Sequence, residues 1–243
     1  MAFRLYHLPF AITSLIIGTT VITFYLSYVQ YKHVTYILPY ISDTGTFPPE
    51  SCIFGQALNV AALLIGVVIY IKYLQVKELV EKHPLSSINA SLLNKVTLFF
   101  GLTASLGISF VANFQETNTF YFHWFGASLT FGGGAVYLTL QTILYVKISH
   151  LIGQEKTTRF RIFVAFITAF TFCICVTTAF LSYQKFTGGD ITKWKIEDGG
   201  YRLHQVSTVC EWICATGMLT YISLFRDEFK NIEIDQIRIF FKD

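Results

Sequence analysis

The sequence predicts an all-α polytopic membrane protein, built as a bundle of six transmembrane helices. Of its 243 residues, 53% are apolar and only 14% are charged, whereas about a quarter are charged in an ordinary soluble domain. Five segments lack Asp, Glu, Lys and Arg over roughly the 20 residues that a helix needs to cross the hydrocarbon core. A sixth segment is interrupted by a single carboxylate, Glu211. In chain order the six are Leu8–Tyr31, Ser51–Ile71, Val96–Gln115, Thr117–Val146, Ile162–Gln184 and Leu203–Phe225.

The first and fourth segments need a specific interpretation. Leu8–Tyr31 exceeds the apolar run of about 7 to 15 residues found in signal peptides, and no small-residue cleavage site follows, so we interpret it as a retained anchor. Thr117–Val146 is longer than a bilayer requires, so its span is placed at residues 120–146 and one end extends past the core or the helix tilts. No linker divides the chain. We therefore expect one domain over residues 1–243, with spans at about 8–31, 51–71, 96–115, 120–146, 162–184 and 203–225 and a cytosolic tail at 226–243.

Basic residues in the connecting loops predict the orientation, because short cytosolic loops carry an excess of Lys and Arg. The loops after the second and fourth segments and the tail are basic. Their cations are Lys72, Lys77, Lys82, Lys95, Lys147, Lys156, Arg159, Arg161, Arg226, Lys230, Arg238 and Lys242. Both termini are therefore predicted to be cytosolic. Residues 32–50, 116–119 and 185–202 then lie on the exoplasmic side, which is either a lumen or the outside of the cell.

Glu211 is the most informative single residue. A charged side chain in the middle of a span costs about 2.5 to 3.5 kcal/mol on insertion scales, so it normally faces protein or water and has a partner. His204 lies two helical turns earlier on the same face, about 10 Å away along the helix axis. The two side chains can therefore line one polar track, and we expect Glu211 to serve either function or essential packing.

Further polar residues gather at the exoplasmic ends of the spans. Such side chains can bind a lipid head group in a pocket, and Glu116, His123, His204 and Glu211 are predicted to line it. Each candidate also has a plain structural alternative, such as a turn former for Asp43 or an acidic residue at a helix start for Glu50. The full set of candidates is Asp43, Glu50, Asn113, Gln115, Glu116, His123, His204 and Glu211.

Several strings resemble the DRAM family, the damage-regulated autophagy modulators. They are PYISDTG at 39–45, FPPESCIFG at 47–55, VANFQE at 111–116, His123, His204 and CEW at 210–212. The resemblance covers all six spans in order, although Trp124 stands where family members often carry Asp. It implies a multi-pass protein of the lysosomal membrane that promotes autophagy and, in some settings, cell death. Late endosome, Golgi and plasma membrane are the alternative locations.

The DRAM family resembles a broader Frag/DRAM/Sfk set of six-span proteins, which includes proteins that remodel the lipid of GPI anchors and proteins that affect plasma-membrane lipid asymmetry. Two mechanisms follow from this resemblance. The first is a regulator without catalytic activity, whose polar residues hold helices together or bind a head group. The second is a lipid-modifying enzyme with His123 or His204 as general base.

The regulator is favoured over a lipid hydrolase or acyltransferase. No span carries His-x-x-x-His, and no G-x-S-x-G elbow occurs in the chain. Cys173 and Cys175 point to different helix faces, so we expect neither a metal site nor a cofactor. The expected partners are membrane lipids and autophagy or lysosomal membrane proteins, with no nucleic acid.

The predicted topology can be tested by cysteine labelling. In a Cys52→Ser background, Lys193→Cys should react with a membrane-impermeant maleimide only from the exoplasmic side, because the loop between the last two spans lies there. Glu81→Cys serves as the control and should react only from the cytosolic side. Labelling of Lys193→Cys from the cytosolic side of intact membranes would contradict the topology.

Overall fold

The computed structural model describes residues 4–34, 38–83, 90–153 and 155–233. Within them, six helices are long and apolar enough to cross a membrane. This confirms the predicted all-α fold with six membrane-spanning helices. The helices are α1 (Leu5–Gln30), α2 (Glu50–Lys82), α3 (Ala90–Asn113), α4 (Phe120–Ile148), α5 (Glu155–Lys185) and α6 (Tyr201–Phe229).

Several helices continue past the apolar segments from which they were predicted. Helix α2 runs on from Ile71 to Lys82, and its last turns carry the ion pairs Lys77–Glu81 and Glu78–Lys82. A charge-free run marks the part of a helix that lies in hydrocarbon. The backbone hydrogen bonds can continue into water, where such i,i+4 pairs support them. The predicted tail is similar, since residues 226–229 still belong to α6, while residues 234–243 lie outside the described residues.

The six helices form a closed ring. Each helix packs against its neighbour in the chain, and α6 completes the ring by packing against α1. Close approach of α5 and α6 depends on Gly217, because a Cβ atom there would collide with the Thr168 hydroxyl. Small residues permit such contacts between membrane helices, whose association is driven by packing rather than by the hydrophobic effect.

The two ends of the ring differ in character. At the end that carries Leu8 and Phe229, called the terminal end, apolar side chains from α1, α2, α4, α5 and α6 form one continuous core. The opposite end, called the site end, carries the start of α2, the end of α3 and the start of α6, and it holds most of the predicted polar residues. The terminal-end core includes Leu8, Ile12, Ile65, Ile69, Tyr137, Leu138, Val164, Tyr221, Phe225 and Phe229.

A buried cluster of ion pairs lies beside this core. Glu228 on α6 pairs with Lys72 on α2, and its other oxygen accepts a hydrogen bond from Arg161 Nη2 on α5 at 2.6 Å. All three side chains are almost fully buried. Lys72 and Arg161 were predicted to be loop cations on the cytosolic side, but both lie inside the bundle. They can be buried because each is paired with Glu228, whereas an unpaired charge would be strongly unfavourable there.

Removal of the shared carboxylate should destabilise the bundle. Glu228→Gln leaves two buried cations without a counter-charge, a change that costs about 3–5 kcal/mol when one partner of a buried ion pair is removed. The thermal unfolding midpoint of the detergent-solubilised protein should therefore fall markedly. Asp227→Asn is the matched control, since Asp227 is exposed and pairs with Lys230 at the surface. Equal midpoints for the two variants would contradict the role of the cluster.

Candidate functional site

The chain between α1 and α2 enters the ring at the site end instead of crossing its surface. Residues 38–49, called the inserted loop, contain a short 3-10 turn, Ser42–Gly45, that is buried throughout. Irregular backbone is tolerated at membrane depth where protein surrounds it and satisfies its polar groups. Three hydrogen bonds tie the loop to α6: Tyr40 Oη to Ser207 Oγ at 2.7 Å, Ile41 N–H to Glu211 Oε2 at 2.8 Å, and Trp212 Nε1 to the Pro39 carbonyl at 2.8 Å.

Glu211 is therefore held by the backbone of the inserted loop, since its hydrogen-bond partner is Ile41 and not a side chain of its own helix. It lies about 15 Å along α6 from Tyr201, at 1.5 Å per residue, and its side chain is 7% exposed. Its second oxygen, Oε1, makes no hydrogen bond with the described residues, and Glu211 borders space inside the ring. The carboxylate thus combines a structural contact with a free acceptor.

His204 occupies a different environment from Glu211. Its ring lies 4.2 Å from that of Trp194 and 5.0 Å, edge to face, from that of Tyr40. The side chain is buried and lines neither of the two cavities that Glu211 borders. His204 and Glu211 were predicted to line one polar track because they share a face of α6. In the structure, Tyr40 and Ile41 of the inserted loop lie between them. The two side chains therefore do not form a continuous polar track along α6.

Glu116 and His123 join Glu211 at the site end. Glu116 is buried beyond the end of α3 and accepts a hydrogen bond from the Tyr183 hydroxyl on α5. In α4, the Nδ1 atom of His123 forms a hydrogen bond of 2.7 Å with the backbone carbonyl oxygen of Phe114. Because a carbonyl only accepts, Nδ1 must carry the proton, and Nε2 of the neutral ring is left as an acceptor.

Asp43 is a third buried carboxylate in this region. Its Oδ2 atom is buried and has no hydrogen-bond partner among the described residues. Burial raises the pKa of Asp43 well above its usual range, and the nearby carboxylates of Glu116 and Glu211 raise it further. The three acidic groups therefore interact electrostatically, although they come from the inserted loop, the end of α3 and the middle of α6.

The remaining candidates lie apart from this group. Glu50 starts α2, is buried, and pairs with His33 Nδ1 at 2.8 Å. Asn113 is exposed and forms a polar cluster with Asn59 and Ser109. Gln115 is half-buried at the turn after α3. None of these three predicted residues lines either cavity that Glu211 borders.

Two adjoining cavities meet at Glu211 and His123. The central cavity, of about 240 Å³, lies inside the ring and is lined mainly by apolar side chains of α1, α2, α3, α4 and α6. The lateral cavity, of about 80 Å³, lies between α4 and α5 and also contains Glu116. The first half of α4 packs on α3, and it meets α5 through the rings of Phe120 and Trp124, which lie against Tyr183. The lateral cavity is partly open.

Three of the aromatic residues that line the lateral cavity were not predicted from the sequence. Tyr40, Trp124 and Tyr183 line it beside the carboxylates, and Tyr183 donates to one of them. Aromatic side chains near a membrane interface are common, so their presence alone carries no signal. The position of Tyr40 directly before the turn at Asp43 is the feature that could have indicated it. Within the described residues, no group of three His, Cys, Asp or Glu is placed to hold a metal ion.

Comparison with known proteins shows the family to which the chain belongs. The sequence profile of the Frag1/DRAM/Sfk1/Cwh43P N-terminal domain matches residues 4–232. The chain belongs to this family. Within it, the DRAM proteins are close relatives, in agreement with the resemblance of the site-end strings. No solved structure matches the chain.

Three relatives illustrate the extent of the similarity. DNA damage-regulated autophagy modulator protein 2 of Bos taurus is 36% identical over 235 residues, which cover 93% of this chain and 86% of that protein. The Homo sapiens protein of the same name is 34% identical, covering 93% of this chain and 86% of its own length. DNA damage-regulated autophagy modulator protein 1 of Homo sapiens is 33% identical and covers 83% of this chain and 82% of its own length. The chain is thus a multi-pass membrane protein of the DRAM type.

Asp43 makes the stability of the fold depend on pH. Its pKa is raised in the folded state, so the stabilisation is fully present below the ordinary value near 3.8 and is lost as pH rises through the raised value. The thermal midpoint in detergent should fall from acidic to neutral pH, and Asp43→Asn should reduce that fall. The control is Glu197→Gln, which removes an exposed carboxylate and should leave the profile unchanged. An identical fall in Asp43→Asn and wild type would contradict the assignment.

Proposed function

We propose that this protein modulates autophagy from an endomembrane, and that it does so by binding a lipid head group in the pocket formed by Glu116, His123 and Glu211. The three relatives above are named as autophagy modulators, and these names describe regulators and not enzymes. The lysosomal membrane is the proposed location, with late endosome, Golgi or plasma membrane as further sites. Lipids and other autophagy or lysosomal membrane proteins are the proposed partners.

The observation that carries this proposal is the lateral cavity between α4 and α5. Its wall combines apolar and aromatic side chains with the polar groups of Glu116, His123 and Glu211, a composition typical of small-molecule sites. An ionisable group inside a membrane span is by default a candidate for function. The cavity is partly open, so a lipid can place its head group inside while its chains stay outside.

The central cavity supports the same interpretation. It joins the lateral cavity at Glu211 and His123, and its walls are almost entirely apolar. A hydrocarbon segment can enter such a space without losing hydrogen bonds to water, since neither partner makes any. The two cavities together thus offer one compartment for a polar group and one for an apolar group.

A lipid-modifying enzyme is the second candidate, and His123 favours it. His123 borders both cavities, and its Nε2 could accept a proton from water or a lipid hydroxyl. However, the ring is oriented by a backbone carbonyl, whereas a general base is usually oriented by a carboxylate. The His–carboxylate ion pair found among the described residues, His33–Glu50, lies outside both cavities.

A rescue experiment tests the proposed function through Glu211. In cells that lack the protein, autophagic flux should fall, wild type should restore it, and Glu211→Gln should fail at equal abundance. The amide keeps the hydrogen bond to Ile41 but removes the acidic group that borders the cavities. Glu197→Gln, which removes an exposed charge, should restore flux fully.

Three results would contradict this account. Normal flux in the absence of the protein, measured with lysosomal degradation blocked as a control, would remove the autophagy assignment. Full rescue by Glu211→Gln would show that Glu211 only fixes the inserted loop in place and that its acidic group is not needed for function. Chemically altered lipid, formed by wild type and absent with His123→Gln, would favour the enzyme instead.

A further inference from the structure

We propose that the pocket selects lipids whose head group carries a primary ammonium, such as an aminophospholipid or a free sphingoid base. This inference rests on the proposed function, since it names the class of ligand for the same pocket. It follows from the charge, the hydrogen-bonding capacity and the shape of the walls.

The acidic groups of the pocket have no cationic partner. Glu116 and Glu211 are buried, and no Lys or Arg of the described residues forms an ion pair with either of them. Buried carboxylates are normally paired, because an isolated charge in a medium of low dielectric constant is strongly unfavourable. The terminal end of the same bundle shows the usual solution, where Glu228 pairs with Lys72 and Arg161. At the site end a bound cation would supply the missing charge.

The hydrogen-bonding groups point to the same ligand. Glu211 Oε1 and the second oxygen of Glu116 have no partner among the described residues, and His123 offers Nε2 as a third acceptor. The two phenols of the wall already donate, Tyr183 to Glu116 and Tyr40 to Ser207. The ionisable groups of the pocket are thus acceptors that require donors from the ligand.

A primary ammonium satisfies both requirements. It carries a positive charge and three N–H donors, which matches a wall of carboxylate and imidazole acceptors. A quaternary ammonium has the charge but no N–H group, and a sugar head group has donors but no charge. An anionic head group would be repelled by the carboxylates. Trp124, whose ring borders the lateral cavity beside Tyr183, adds an aromatic face of the kind that attracts cations.

The shape of the site separates the ammonium from the rest of the lipid. The lateral cavity is small, about 80 Å³, and takes an ammonium with its short carbon stem. The chains leave through the open side of the lateral cavity or enter the apolar central cavity. A phosphate, where the lipid has one, is expected to remain nearer the membrane surface.

Competitive lipid binding to the full-length, detergent-solubilised protein tests this inference by native mass spectrometry. The probes are phosphatidylethanolamine and sphingosine, each compared with its N-acetylated form, which has the same chains but no ammonium, and with phosphatidylcholine. At least one amine lipid should bind about tenfold more tightly than its acetylated form, as expected for a buried charge pair. Glu211→Gln and Glu116→Gln should each abolish that preference, and Glu197→Gln should keep it.

The possible outcomes separate the two proposals. Preference for phosphatidylethanolamine identifies an aminophospholipid site, preference for sphingosine identifies a sphingoid-base site, and either supports the inference. Equal binding of each amine lipid and its acetylated form overturns the ammonium assignment, while a lipid complex that still depends on Glu211 leaves the pocket of the proposed function intact. Absence of any bound lipid above the background of the Glu211→Gln variant overturns both. The comparison of lipids on wild type needs no variant, so misfolding of a mutant cannot obscure it.

Discussion

The hydrogen bond between the Ile41 N–H and the Glu211 carboxylate is the contact on which the site end depends. It joins a non-helical segment to the middle of α6, inside the bundle, where a buried backbone group without a partner is costly. Hydrogen bonds to charged groups are stronger than those between neutral groups, at about 1.5–3 kcal/mol. With Ile41 fixed by this bond, Tyr40 and Asp43 lie inside the ring, and the inserted loop forms part of the walls of both cavities.

The same bundle treats buried charge in two ways. At the terminal end, Glu228 is shared between Lys72 and Arg161, so the charges are matched and the helices are joined by ion pairs under a continuous apolar core. At the site end, Glu116 and Glu211 each have one oxygen without a partner among the described residues. The first arrangement stabilises α2, α5 and α6 against each other. The second leaves electrostatic attraction available to a ligand.

Helix packing explains why the lateral cavity lies between α4 and α5. The first half of α4 packs its backbone on α3, where Gly107 and Gly126 allow close approach. At this end its contact with α5 is made by aromatic side chains, Phe120 and Trp124 against Tyr183, and the cavity lies beside Glu116 and His123. From Gly134 onward, the backbones of α4 and α5 approach closely, and the cavity is confined to the site end.

The sequence by itself determined the all-α class and the six helices, and it singled out Glu211 as a candidate, because an apolar run of bilayer length and a carboxylate inside one are local properties. It also indicated Asp43, Glu116 and His123, and it raised the resemblance to the DRAM family. It could not determine the partners of these residues. Periodicity along α6 associated Glu211 with His204, whereas the tertiary structure joins Glu211 to Ile41 and surrounds His204 with aromatic rings.

Two further features were decided only by tertiary structure. Lys72 and Arg161 read as loop cations, since nothing in the sequence shows that Glu228 lies within reach of both. The insertion of residues 38–49 into the ring was equally hidden, because a turn sequence looks the same on a surface and inside a bundle. In each case the deciding contact joins residues far apart in the chain, and such contacts depend on how the helices pack, which no local pattern encodes.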